Sequence, residues 1–289
     1  MSALSVVAPP DLSTLRSLLA SATMPVHFLA GGTDFLIAGR PLPDTGLLVD
    51  LSRMDGMAHI ATDGADIRIR AATTVAMLAD HCGLRARFPA LSEATAQCGS
   101  VQIRNRATIG GNIANASPGA DLLPVLLAAG ARLCLLEPGG EWNEVAILDF
   151  APAPGRLIVE VILPNAGILP RSAFVKLGVR QDLTISRLSL ALLAELQDGR
   201  FGVVRLAAGA IGPKPRRLPH AESALEGRRL EPGTLRDFLS SLVVEVDNAI
   251  AGRASQLYKR RAIAALGLDL IARISGMSPR HELFEEALA

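Results

Sequence analysis

Cysteine is scarce and scattered. Cys82, Cys98 and Cys134 are the only three in 289 residues, and no two of them form a CxxC pair. That spacing argues against a disulfide framework, a zinc site or an iron–sulfur cluster on this chain, and leaves small buried hydrophobes as their reading. The five histidines show no ligand spacing. Aromatic residues make up 3% of the chain, which removes the stacking platforms that single-stranded nucleic acid needs. An excess of either charge is missing as well. Lys and Arg number 29 against 28 Asp and Glu, a net charge of +1, so there is no footprint for nucleic acid or an anionic membrane. No apolar run reaches the ~18 residues of a membrane span. Residues 122–136 come nearest, and Gly130 and Arg132 interrupt them. The first residues lack the basic patch and apolar stretch of a signal peptide, so a cytoplasmic location is expected. No acid/base dyad or nucleophile–histidine pair emerges either. Any chemistry then falls to a bound cofactor that the protein holds and tunes.

What is present is a chain 49% hydrophobic, long enough for two domains with a substantial core. The stretch 104–124, Arg-Asn-Arg-Ala-Thr-Ile-Gly-Gly-Asn-Ile-Ala-Asn-Ala-Ser-Pro-Gly-Ala-Asp-Leu-Leu-Pro, is its most informative part. Gly110 and Gly111 sit among the short polar residues Thr108, Asn112, Asn115, Ser117 and Asp121. Glycine permits positive φ and close approach of a ligand to the main chain, and successive N–H groups freed this way form an anion nest. The hydroxyl and amide side chains suit sugar hydroxyls. No helical or strand periodicity runs through the segment, so it is expected to be an ordered loop.

A second loop of the same kind comes earlier. Val26–Ala30 reads as a short buried strand, Gly31-Gly32-Thr33-Asp34 follows, and Phe35–Ala38 is expected to start a short helix. A strand, a glycine turn and a helix N-terminus make a phosphate site. The pattern is neither G-x-G-x-x-G nor a P-loop. Each glycine pair alone is as consistent with a plain turn; together they supply two cradles, as a pyrophosphate-bearing cofactor requires.

The remaining pattern predicts a strand at Leu4–Ala8, a helix capped by Asp11 or Ser13 running to Ser21, and a strand at Leu47–Asp50. Ala58–Ala61 and Ile67–Ala71 flank the hairpin signal Asp63-Gly64. Helices are expected from Thr73-Thr74 to Cys82, over Phe88–Gln97 and over Leu122–Ala129, with strands at Ala131–Leu136 and 157–163. Pro164 to Pro170 is the expected domain boundary. Beyond it, Ser172–Val179, Ile185–Leu196 and Arg200–Ala210 read as three antiparallel strands, the last two joined by Asp198-Gly199. Helices are expected at 219–226, 233–249 and 254–275. The order implies an α+β fold: a first domain over 1–165, in lobes of about 1–53 and 54–165, and a smaller sheet-plus-helices domain over 171–289.

Ala30-Gly31-Gly32-Thr33-Asp34, then Ala107-Thr108-Ile109-Gly110-Gly111-Asn112-Ile113 and Ser117-Pro118-x-x-Asp121, resemble the FAD-binding subunit of the molybdenum hydroxylases, the relatives of xanthine dehydrogenase and aerobic carbon monoxide dehydrogenase. Gln102-Ile103-Arg104-Asn105, Phe174-Val175-Lys176-Leu177-Gly178-x-Arg180 with Asp182 and Ile185, and Tyr258-Lys259-Arg260-Arg261 fit in the same order. The resemblance implies a two-lobed FAD domain and noncovalent FAD. It implies molybdopterin on a large partner subunit and iron–sulfur clusters on a small one. Electrons would run from substrate through those clusters to this FAD and on to an external acceptor. The rival readings are a free-standing FAD-dependent oxidoreductase and a non-catalytic nucleotide-binding or assembly protein.

The resemblance also assigns residues. Ala30, Gly31, Gly32, Thr33 and Asp34 form one cofactor loop; Thr108, Ile109, Gly110, Gly111 and Asn112 form the other. Thr108 and Asn112 either hold their loop through main-chain bonds or donate to phosphate and ribityl oxygens. Ser117 either contacts the cofactor or sets a turn. Asp121 caps the following helix, contacts cofactor hydroxyls, or does both. Arg104 and Arg106 are solvated charges or meet the pyrophosphate. Lys176, an exposed strand lysine by pattern, matches a family lysine near the flavin, where its charge would stabilise the reduced ring. Phe174 stands where many members carry an aromatic, often tyrosine. Ile158 packs against the cofactor or simply fills a core strand. The basic runs Lys214–Arg217 and Lys259–Arg261 are solvated faces or a docking surface for an acidic partner.

Overall fold

The computed structural model describes residues 4–164, 171–180, 184–278 and 280–288. The expected boundary segment and Asp182 lie largely or wholly outside them. In chain order the elements are β1 (Leu4–Val7), α1 (Leu12–Ser21), β2 (Val26–Leu29), β3 (Gly46–Asp50), β4 (Ile60–Asp63) and β5 (Asp66–Arg70). There follow α2 (Val75–Asp80), α3 (Cys82–Arg87), α4 (Pro89–Ala96), α5 (Val101–Arg104), α6 (Ile109–Asn115) and α7 (Leu122–Ala129). Next come β6 (Arg132–Leu136), β7 (Trp142–Ala146), β8 (Leu157–Leu163), β9 (Arg171–Leu177), β10 (Leu188–Gln197), β11 (Arg200–Gly209) and β12 (Arg216–Arg217). The chain closes with α8 (Pro219–Ser223), α9 (Pro232–Ile250), α10 (Gln256–Ser275) and α11 (Glu282–Leu288). The architecture is α+β, as the sequence implies.

Packing divides the chain into two units: residues 1–78, 100–116 and 130–165, and residues 79–99, 117–129 and 166–289. In the first unit β1 and β2 flank β3 in a parallel three-stranded sheet. Asp11 caps α1 by accepting from the Thr14 N–H at 2.7 Å, and Leu15 and Leu19 bury that helix. The second sheet runs β4-β5-β8-β6-β7, antiparallel throughout. Its centre, β8, is buried at every position, including Ile158. Between β8 and its neighbour β5, Glu160 pairs with Arg68 at 2.6 Å and Arg70 at 3.4 Å.

In the second unit β12-β11-β10-β9 form an antiparallel sheet. Asp198 (φ 48°) and Gly199 (φ 74°) both take positive φ, the I′ geometry that closes the β10–β11 hairpin. One face of β10, through Leu188, Leu190 and Leu192, joins Phe238 and Leu242 of α9 and Leu270 of α10 in one core. The other face carries Ser189, Ala191 and Leu193, also buried. Helices α4 and α7 cover that face, with Ala90 of α4 donating to Ser172 Oγ on β9 at 3.1 Å. This is why the segments 79–99 and 117–129, which the sequence reading assigns to the first domain, pack with the C-terminal residues. Strand β10 is apolar on both faces and needs two covers, and α7 is buried along its entire length.

Gly267 lets α9 and α10 approach closely, since a Cβ there would stand 3.3 Å from Phe238 Cε1. Phe238 is fully buried at this crossing. Phe238→Ala is expected to remove about 3–5 kcal/mol of stability, read as a lower urea midpoint of unfolding.

Candidate functional site

The first glycine loop leaves β2 and turns at Gly32, which takes φ 73°. The Leu36 N–H reaches the Gly32 carbonyl at 3.0 Å and closes a single turn over 33–36. No helix forms at Phe35–Ala38, contrary to the sequence reading. Four residues cannot repay the cost of a helical nucleus, and Gly39 (φ 83°), Pro41 and Pro43 follow at once. Among the described residues, the N–H groups of Gly31, Gly32, Thr33, Asp34 and Phe35 donate to no protein acceptor. The Thr33 hydroxyl likewise has no protein partner there. These residues are half-buried. Five consecutive unpaired donors in such a place call for an anion or another ligand with strong acceptors. The Asp34 carboxylate is not part of that cradle: it pairs with Arg40.

The second glycine segment meets the first directly. A Cβ on Gly31 would overlap the carbonyl oxygen of Arg106, and Arg106 Nε donates to the Gly31 carbonyl at 3.4 Å. Here the sequence reading needs correction. The segment is not a loop but carries α5, capped by Ser100, and α6, capped by Thr108. Gly110 and Gly111 lie in the first turn of α6 and neither has positive φ. They form no nest, because the first-turn N–H groups are already bound. Ile109 donates to the Thr73 carbonyl (3.0 Å), Gly110 to the Ala71 carbonyl (2.9 Å), Gly111 to Thr108 Oγ1 (3.1 Å) and Asn112 to the Thr108 carbonyl (2.9 Å). Gly110 is required for packing, since its Cβ would stand 2.6 Å from Ala71 Cβ. Of the two readings of Thr108, the structure displays the main-chain cap. Ile109 and Ile113, four residues apart, bury one face of α6, and Ala116 ends it at φ 48°. Asn112 Oδ1 is buried and has no hydrogen-bond partner among the described residues, an acceptor to set beside the donors of the first loop. Arg104 closes α5, half-buried.

The other expected residues fall elsewhere. Ile158 is a core residue of β8, opposite Leu135. Ser117, Asp121, Phe174 and Lys176 belong to the second unit. Ser117 is half-buried and its carbonyl accepts from Ala120 at 3.0 Å. Lys176 is not an exposed strand lysine. Its ammonium is buried and donates to the Gln97 carbonyl (2.7 Å), Asp121 Oδ2 (2.9 Å) and the Thr184 carbonyl (3.3 Å), which uses all three hydrogens. Asp121 Oδ1 accepts from Ser186 Oγ at 2.5 Å. Burial pushes the Asp121 carboxyl above the ordinary carboxylate value, and the bonds from Lys176 and Ser186 act against that rise. Ser189, in register with Lys176 across the β9–β10 pair, is fully buried with an unpartnered hydroxyl. Sequence reasoning missed Gln97, Thr184 and Ser186 as partners. Two of the three contribute through main-chain carbonyls, which leave no side-chain signal.

Against known proteins, the family model of FAD binding domains in molybdopterin dehydrogenases matches residues 2–166, and that of the CO dehydrogenase flavoprotein C-terminal domain matches residues 173–274. The chain belongs to this family and is an FAD-binding subunit of the molybdenum hydroxylase type. It is similar to the xanthine dehydrogenase FAD-binding subunit of Escherichia coli O157:H7, with 32% identity over 84% of this chain and 87% of that protein. The nicotinate dehydrogenase FAD-subunit of Eubacterium barkeri is 28% identical over 93% of this chain and 96% of its own length. The fold matches a chain of CO dehydrogenase from Oligotropha carboxidovorans with a TM-score of 0.85 at 23% identity, covering 96% of this chain and 99% of that one. Among the described residues no helix is long and apolar enough to cross a membrane.

Two outcomes follow from this geometry. Gly110→Ala is expected to cost about 1–3 kcal/mol through overpacking, whereas Gly111→Ala, whose Cβ meets only Thr108 Oγ1 at 3.0 Å, stays near wild type. Thermal midpoints compare the two, and equal losses would remove the packing account of Gly110. Asp121→Ala is expected to cost about 3–5 kcal/mol by stranding a buried ammonium, with much of it recovered in Asp121→Ala/Lys176→Met. A double-mutant cycle in urea measures the coupling.

Proposed function

We propose that the chain is the electron-transfer subunit of a heteromeric molybdenum hydroxylase. It would hold FAD without a covalent bond, take electrons from iron–sulfur clusters on a small partner subunit, and deliver them to an external acceptor. A molybdopterin-binding large subunit would oxidise the substrate. The observation that carries the reading is the row of unpaired N–H groups from Gly31 to Phe35, held against Arg106. Those donors suit the pyrophosphate of a dinucleotide, with the Arg106 guanidinium adding positive charge beside the loop. The Thr33 hydroxyl and buried Asn112 Oδ1 can take sugar and ribityl hydroxyls. Thr108 acts at one remove by capping α6 and fixing where Asn112 stands.

Lys176 and Asp121 act as a pair, since the ammonium already has its three acceptors. The pair fixes Thr184 and Ser186 as it does so, and presents little net charge. When bound, FAD supplies the exchange of electrons singly or in pairs. The three distant cysteines offer no cluster ligand set of this chain's own, which supports an electron source on another polypeptide.

The chain expressed alone is expected to release FAD into the filtrate after denaturation. Gly31→Ala should cut flavin occupancy by about tenfold or more through the forced separation of the two segments, with secondary structure retained by circular dichroism. Co-expression with the neighbouring genes should bring substrate-dependent flavin bleaching that the lone chain lacks. Flavin that stays with the polypeptide would refute the noncovalent claim. Ordinary turnover of an organic substrate by the lone chain would make it a free-standing oxidoreductase instead.

A further inference from the structure

In the first unit, the row of free donors from Gly31 to Phe35 contains its own obstacle, the carboxylate of Asp34. Like charges repel, and a pyrophosphate brings two negative charges to the same short loop. The obstacle has a counterweight. Arg40, six residues on, pairs with the Asp34 carboxylate, and its Nη1 also donates to the Asp34 carbonyl at 3.2 Å. The main chain brings it back through two turns. The Ile37 N–H reaches the Asp34 carbonyl at 3.4 Å, and the Arg40 N–H reaches the Ile37 carbonyl at 3.1 Å. Gly39, at φ 83°, supplies the left-handed residue that the second turn needs.

The carbonyls of the row are taken from the protein side. That of Gly31 accepts from Arg106 Nε at 3.4 Å, that of Gly32 from the Leu36 N–H at 3.0 Å, and that of Asp34 from Arg40 and Ile37. Across a trans peptide the C=O and the next N–H point in opposite directions, and no cis peptide occurs among the described residues. The N–H groups of Gly32, Thr33 and Phe35 therefore face away from these partners. Acceptors are turned to protein and donors away from it. Main-chain dipoles set this way favour an anion, and the Asp34 carboxylate opposes one.

We propose that Arg40 is a positioning residue of the cofactor site: it holds and neutralises Asp34, so that the Gly31–Phe35 row accepts a doubly charged pyrophosphate instead of repelling it. The proposal rests on the reading of that row as the pyrophosphate site of FAD. Arg40 acts through Asp34, and the carboxylate in turn keeps the guanidinium beside the loop. About half of each side chain is exposed, 48% for Arg40 and 46% for Asp34. Such a pair adds little to stability, and salt screens its field. Losing Arg40 therefore changes the charge at the row more than the fold beneath it. A mechanical clip behaves differently, since loss of either partner would loosen the turn and weaken the site. Under neutralisation the two losses have opposite signs: removing the cation harms anion binding, and removing the carboxylate does not.

The test is FAD binding by the full chain stripped of flavin, followed by flavin fluorescence at low and high ionic strength. Arg40→Met should weaken binding by about tenfold at low salt and by less at high salt, because the bared carboxylate is screened. Asp34→Asn, which removes the carboxylate and leaves the guanidinium, should bind FAD at least as tightly as wild type. Asp34→Asn/Arg40→Met should recover most of the loss, and Arg40→Lys should keep most of the affinity because the charge stays. Circular dichroism and thermal midpoints should match wild type in all of them. If Arg40→Met does lower the midpoint, the sign of the Asp34→Asn effect still decides. The proposal falls if wild type binds FAD and Arg40→Met binds it equally well. It falls too if Asp34→Asn weakens binding as Arg40→Met does, which would make the pair a clip. In both cases the pyrophosphate reading of the row stands. If Gly31→Ala keeps full flavin occupancy, that reading falls first and takes this proposal with it.

Discussion

The carbonyl of Arg106 occupies the space where a side chain at residue 31 would stand. This close approach joins two segments 75 residues apart and assigns them different work. The α6 segment spends its first-turn donors on Thr73, Ala71 and Thr108, so its first turn has no main-chain donor left for an anion. The Gly31–Phe35 loop, braced against it, spends none. A flexible loop with free donors would pay an ordering cost on binding; one pinned at its first glycine pays less. Gly31 of the first segment and Gly110 of the second therefore act by close packing, and Gly32 by conformation.

The second unit poses a different problem. Its strand β10 is apolar on both faces, yet beside it lie a buried lysine on the edge strand β9 and a buried aspartate at the start of α7. Removing two charges from water costs several kcal/mol each unless every lone pair and proton is placed. Here the ammonium has three acceptors and both carboxylate oxygens are used. The cluster links the end of α4, the start of α7, strand β9 and the residues leading into β10. Such a network specifies geometry more than it adds stability. Its weak point is Ser189, whose hydroxyl has no partner although it lies beside the cluster.

Much of the fold was legible in the sequence, and the failures share a cause. Long periodic segments such as α9 and α10, the β8 run and the Asp198-Gly199 turn were readable because each carries its own signal over many residues. What escaped was short or dictated from afar. Helix α6 has only Ile109 and Ile113 as its apolar face, and two glycines mask its helical character. The turn at 33–36 looked like a helix start because Phe35–Ala38 is apolar, though Leu36 and Ile37 stay exposed. The short elements α3, β7, β12 and α11 went unread, being too brief or too polar to show a period. For the candidate site, the glycine pairs pointed to two segments that the structure brings into contact, but their packing depends on Arg106 and Ala71, which no local pattern reveals. The run Leu188–Leu193 held a clue to the division into units, since a strand without alternation has two faces to cover.

A cradle made of main-chain donors has a consequence for sequence. It requires the absence of a side chain at residue 31, positive φ at residue 32, and a cap that fixes the neighbouring helix; it requires few particular side chains. Close backbone approaches of this sort survive extensive replacement of surrounding residues, provided volume and pattern are kept. That physical economy accounts for a fold shared almost end to end with proteins of low identity. Within the first unit, then, this loop is bound by steric exclusions rather than by particular side chains, and the sequence around it can diverge without disturbing the sheets that carry it.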